Sequence, residues 1–150
     1  MIPIYRGAEE PTLPAVRMAE LTRTEALLTW KPRLEDTDFG KAYACARPLL
    51  RTRQHNKCCY CEKFVETKHE HVEHVRPKTV ARRSDTRVDS GYWWLAWTWQ
   101  NLLFCCIRCN TLKGTWYPLH AGHPLQPQEQ PPGRERPRLL DPSVDADDPI

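Results

Sequence analysis

The chain has 150 residues, 40% of them apolar and 27% charged, with a formal net charge of +3. That length leaves room for one modest core plus terminal arms, and the composition excludes a disordered or fibrous chain. Fourteen prolines against six glycines favour extended arms over flexible linkers. The charge is unevenly placed. Residues 41–90 carry twelve Lys/Arg and six Asp/Glu, whereas 1–40 and 134–150 are each net negative by two. A basic block between acidic ends suits a polyanionic partner, although a solvated basic face accounts for it equally well from charge alone.

Residues 1–14, with Pro3, Pro11 and Pro14, read as an extended arm. Val16, Ala19, Leu27 and Leu28 predict an amphipathic helix over 15–28, ended ahead of Lys31-Pro32 because proline disfavours helix in the residue before it. A second helix is predicted from Lys41 to about Gln54, with Pro48 either kinking it or marking its first turn. Residues 58–114 then read as a knuckle, a strand, a basic loop, an aromatic stretch, a second knuckle and a short helix. The proline-rich run from Pro118 to Pro137 is expected to be a surface linker, and the closing LLDPSVDADDPI contributes nothing that closes a fold.

The opening MIPIYRGAEEP lacks the basic and apolar regions of a secretory signal. Ser90 to Ile107 carries no charge, but Thr98, Gln100 and Asn101 interrupt it, so a buried segment is expected rather than a membrane span. With seven cysteines, this leads to the expectation of a cytoplasmic metal-binding protein without a disulfide framework.

Cys58 and Cys61 form one C-x2-C pair, and Cys106 and Cys109 form another. Two residues between cysteines let a tight turn aim both thiolates at one ion, and two such turns supply the four sulfurs of a structural Zn2+ site. Cys59 and Cys105 adjoin ligands, so other registers exist. C-x-C spacing suits a tetrahedral ion less well, which favours the outer set. Cys45 reads as a small core residue. Between the pairs lies Val72-Glu73-His74-Val75-Arg76-Pro77-Lys78. Strand alternation puts Val72 and His74 on one side, Glu73 and Val75 on the other. A carboxylate beside an imidazole offers one metal ligand and one general base, yet a Glu-His pair on a surface strand is commonplace. Position strengthens the chemical reading: Asn110 directly follows the last cysteine, where a short helix should begin, so zinc would hold it relative to Glu73 and His74.

CxxC, then VEHVRPK, then WxNLLxxCxxCNxxKG resembles the zinc-stapled form of the HNH, or ββα-metal, endonucleases. The resemblance covers residues 58–114. It implies that His74 is the general base, that Asn101 ties down the loop between the strands, and that Asn110 is a ligand of the catalytic metal. Glu73 stands where the family usually has Asp, the other protein ligand, one methylene further out. The metal implied is Mg2+ or Mn2+, and the products carry 5′-phosphate and 3′-hydroxyl ends. MIPIYRG, GYWWLAWTW and RPRLLDP are further similar to the nuclease subunits of Septu systems, also found with some retrons. That resemblance implies anti-phage defence, a chain continuing beyond LLDP, and an ABC- or SMC-like ATPase partner. No Walker motif occurs here, so ATP hydrolysis would come from elsewhere.

The expected fold is therefore α+β: an N-terminal arm and helix over 1–40, a ββα-metal domain with zinc knuckles over 41–117, and a Pro-rich extension over 118–150. Nucleic acid, DNA ahead of RNA, is the expected partner, contacted by Arg76, Lys78, Arg82, Arg83 and Lys113. His69 and His71 read as a polar strand edge, and His120 and His123 as solvated. The aromatic run Tyr92, Trp93, Trp94, Trp97, Trp99 serves either as core or as a base-stacking platform, with core favoured beside the knuckle. A zinc-bound nucleic-acid or protein-interaction module without catalysis is the competing class.

Overall fold

A computed structural model describes residues 3–121 and 135–143. Helix α1 (Leu13–Leu28) starts two residues before the predicted position because its N-terminus is capped from outside. The Glu10 carboxylate accepts from the backbone N–H groups of Thr12 and Leu13 at 2.8 and 2.9 Å, and Pro14 sits in the first turn, where no N–H is needed. Leu13 and Thr24 are buried, and α1 packs against the short 3-10 helix Ala42–Ala46.

The single helix predicted over 41–54 is split. Ala42–Ala46 is a 3-10 turn, and α2 (Arg47–Arg53) follows with Pro48 in its first turn, the second of the two roles open to it. Strand β1 (Glu70–His74) pairs antiparallel with β4 (Leu102–Cys106), placing Glu70 opposite Cys106 and His74 opposite Leu102. Helix α3 (Ile107–Lys113) leaves β4 directly. The expected basic loop is instead a small hairpin, β2 (Val80–Arg82) with β3 (Val88–Ser90). Three-residue strands are too short for their alternation to be read from sequence.

The aromatic stretch folds as 3-10 turns at Trp93–Leu95 and Trp99–Asn101. Tyr92, Trp94, Trp97 and Trp99 are buried, with Trp97 5.8 Å from the Phe39 ring, so these four serve as core; Trp93 stays half-buried. Gly91 is where this stretch crosses the hairpin. A Cβ there would lie 2.5–2.6 Å from backbone atoms of Thr79 and Lys78, and the Gly91 N–H donates to the Thr79 carbonyl at 3.0 Å. Gly91→Ala is expected to destabilise the fold by about 1–3 kcal/mol, read as a lower urea midpoint at unchanged slope.

The described C-terminal residues correct one expectation, since they do close the fold. The Ile4 N–H donates to the Pro142 carbonyl at 3.0 Å, Arg6 pairs with Asp141 at 3.6 Å, and Glu135 lies 2.6 Å from the Arg76 guanidinium. Glu135 and Asp141 are both buried, and each partner charge would be costly to leave alone. His120 is exposed, as expected. His123 and most of the proline-rich linker lie outside the described residues. Among the described residues no helix is long and apolar enough to cross a membrane.

Candidate active site

The two C-x2-C turns meet in space. The sulfurs of Cys58, Cys61, Cys106 and Cys109 all lie within 4.8 Å of one another, with Cys61 and Cys106 3.9 Å apart. Sulfurs bound tetrahedrally at about 2.3 Å need nearly this spacing, and an all-sulfur set suits zinc. These four can hold a structural metal ion. A hydrogen bond from the Cys59 thiol holds the Cys58 thiol well below its usual range against the opposing effect of burial, helped by backbone N–H groups of Cys106, Cys61 and Tyr60. Glu62, at φ 60°, returns the chain so that its N–H donates to the Cys58 carbonyl at 3.0 Å. Cys59 and Cys105 are buried outside the cluster. The outer register is the one the fold assembles, and Cys45 stands apart from it.

The cluster brings the knuckle together with β4 and α3. The Cys59 N–H donates to the Phe104 carbonyl of β4 at 3.0 Å, and Cys106 caps α3 by accepting from the Cys109 N–H at 3.5 Å. Asn110 therefore sits inside α3 rather than at its start, because the helix begins at Ile107, between the two ligands. Asn101, fully buried, holds the other end of β1. Its side-chain oxygen accepts from the Arg76 N–H at 2.8 Å, and its amide donates to the carbonyls of Arg76 and Leu95 at 3.0 and 3.2 Å. Every polar atom of the amide is spent on backbone, so it positions the residues after His74 and leaves nothing for a substrate. Asn101→Asp replaces both donated bonds with carboxylate–carbonyl repulsion. A stability loss of about 2–4 kcal/mol by denaturant titration is expected, and full stability would remove this role.

His74 is 9% exposed. Its Nε2 bonds the Ala96 carbonyl at 2.8 Å, and the Tyr43 ring meets it edge-on at 4.6 Å. A carbonyl only accepts, so Nε2 carries the proton and Nδ1 keeps the lone pair. Burial, reinforced by the Lys78 charge, holds the imidazolium down to about 3, and the ring is neutral. Glu73, 2% exposed, receives Lys113 Nζ at 2.6 Å and the Tyr60 hydroxyl at 3.2 Å, both on Oε1. Burial pushes its carboxyl up, and the Lys113 ammonium opposes this. Lys113 also donates to the His74 carbonyl at 3.0 Å, tying α3 to the end of β1. Glu73, His74 and Asn110 line one cleft of 230 Å³, together with Asp36, Tyr43 and Lys78. His71 reaches the same cleft, while His69 is exposed and away from it.

The basic residues divide. Arg76, 6% exposed, is paired with Glu135 and lies 5.7 Å over the Tyr117 ring. Arg83 is buried, 3.0 Å from Asp89, and donates to the Tyr117 carbonyl at 2.8 Å. Lys113 is held by Glu73. All three are tethered within the fold, with side chains 5–8% exposed. Arg82 remains accessible, with its side chain 48% exposed, and Lys78 sits at the cleft, 2.7 Å from Asp36. Sequence reading missed four members of the site. Tyr60 lies within the first C-x2-C turn and was open to notice there. Asp36, Tyr43 and the Ala96 carbonyl come from segments whose sequence carries no sign of the cleft.

Fold and site define a small mixed α+β protein with antiparallel strands, a four-cysteine cluster able to hold a metal ion, and a polar cleft. Over 92 residues the chain is 37% identical to a Septu protein PtuB of Bacillus mycoides (strain KBAB4), a match covering 57% of this chain and 31% of that relative. It is 40% identical over 79 residues to a Septu protein PtuB of Bacillus thuringiensis, covering 51% and 26% respectively. The matched segments thus span about a third and a quarter of the curated relatives' length. No protein-family model matches the chain, and no solved structure does.

Proposed function

We propose that the chain is a metal-dependent HNH endonuclease that hydrolyses phosphodiester bonds in nucleic acid, DNA by preference. The observation that carries this is the buried His74, bonded through Nε2 to the Ala96 carbonyl and lining one cleft with Glu73 and Asn110. Two antiparallel strands followed at once by a helix, with cysteine pairs at both ends, support the ββα-metal reading.

The chemistry follows from the residues. His74 Nδ1 takes a proton from water as the water oxygen bonds to phosphorus and the P–O3′ bond breaks; the departing oxygen takes a proton from solvent, leaving a 3′-hydroxyl and a 5′-phosphate. The Ala96 carbonyl keeps the ring oriented and steadies the positive charge it acquires. Glu73 and Asn110 offer hard oxygen donors that fit Mg2+ or Mn2+, and with Lys113 and Tyr60 both on Oε1, Glu73 Oε2 is the oxygen left for it. When bound, that ion supplies positive charge to the phosphate and the departing oxygen. Lys78 and Arg82 meet the flanking backbone. Binding should therefore weaken steeply with salt.

The similarity to Septu proteins supports a place in anti-phage defence, with cleavage controlled by a partner ATPase. The test is a nicking assay on zinc-loaded protein with Mg2+ or Mn2+, with and without the ATPase. Cleavage that a chelator of the loosely held ion stops, and Mn2+ restores, is expected. Strand binding without cleavage under every condition would make the chain a non-catalytic zinc module instead.

A further inference from the structure

A second pocket, of 620 Å³, lies between the β2–β3 hairpin and the segment after α1. Its volume falls in the range of small-ligand sites, roughly 300–1,000 Å³. Leu28, Val88 and Trp94 give it apolar surface, and Arg33 and Ser90 give it polar groups. Lys78 and Thr79 line both this pocket and the His74 cleft, so the two adjoin at these consecutive residues. Trp93 also lines it, the half-buried member of an aromatic run whose other indole and phenol rings are in the core. Arg33 is exposed, with no ion-pair partner among the described residues. Asp89, the pocket's carboxylate, is already neutralised by Arg83 and Arg87.

We propose that this pocket takes one unpaired nucleobase of the strand whose phosphodiester lies at His74, stacked on Trp93, with Arg33 meeting a neighbouring phosphate. The proposal rests on the nuclease reading and narrows its substrate. A base held in a duplex cannot enter a pocket, so the strand must be single or locally opened. An indole face accepts any base, and a mobile guanidinium any phosphate, so the pocket selects for unpairing rather than for sequence.

The test uses zinc-loaded full chain in a His74→Ala background and a dye-labelled single-stranded DNA, compared by anisotropy with an abasic strand of equal length and with its duplex. The base-bearing strand should bind about 10-fold more tightly than the abasic one, and Trp93→Ala should erase that difference. Trp93→Phe should restore most of it. Ser90→Trp, at an exposed position, should fill the pocket and give the same loss with Trp93 in place, which covers the case in which Trp93→Ala does not fold. Equal binding of base-bearing and abasic strands, or a preference that survives both Trp93→Ala and Ser90→Trp, overturns the pocket even where wild type cleaves. A base preference that depends on Trp93 in a wild-type chain that never cleaves upholds the pocket and overturns the nuclease reading. Failure to bind any strand overturns both.

Discussion

Replacing His74 by alanine is expected to lower the cleavage rate by about 10²- to 10⁴-fold, the usual contribution of a positioned general base. His71, three residues back on β1, lines the same cleft. The loss should not come from unfolding. The variant leaves the buried Ala96 carbonyl without its imidazole partner, costing about 1–3 kcal/mol, against a domain stability of roughly 5–15 kcal/mol. Zinc content and far-UV circular dichroism should match wild type. A variant that cuts at the wild-type rate would remove His74 from the chemistry.

Replacing both Cys106 and Cys109 by serine is expected to unfold the chain. Structural zinc contributes about 10–16 kcal/mol in small zinc-binding peptides, as much as the whole stability of a domain of this size. Here the cluster also joins the first knuckle to β4 and caps α3, so its loss frees β1, β4 and Asn110 together. The measurement is metal content by mass spectrometry alongside thermal unfolding. Loss of both zinc and the cooperative transition is expected, while Cys45→Ser, outside the cluster, should keep both. A double variant that melts like wild type would show that the sulfurs do not hold the fold.

What was legible in the sequence was whatever spacing encodes. Two C-x2-C pairs in one short chain can aim four thiolates at a single ion, so the four sulfurs were named from the sequence. Alternation through Val72-Glu73-His74 likewise predicted β1. What stayed hidden depended on partners distant along the chain. Arg76 and Arg83 read as part of a basic surface because charge says nothing of direction. Their inward turn is set by Glu135, 59 residues on, and by the Tyr117 carbonyl, 34 residues on. The same distance concealed Asp36 and Tyr43 at the cleft, and it made 135–143 look idle when Glu135 and Asp141 close the fold. The start of α3 was misread for a local reason: Cys106 serves as ligand and cap at once, so the helix begins between the two cysteines.

The most direct measurement is the cleavage of one labelled DNA strand by equal zinc-loaded amounts of wild type and His74→Ala, in Mn2+ and with the ATPase present, with product ends identified. The expected result is cutting by wild type alone, leaving 5′-phosphate and 3′-hydroxyl ends. Equal cutting by both proteins, ends of the opposite polarity, or an intact strand with wild type under all these conditions would contradict a nuclease centred on His74.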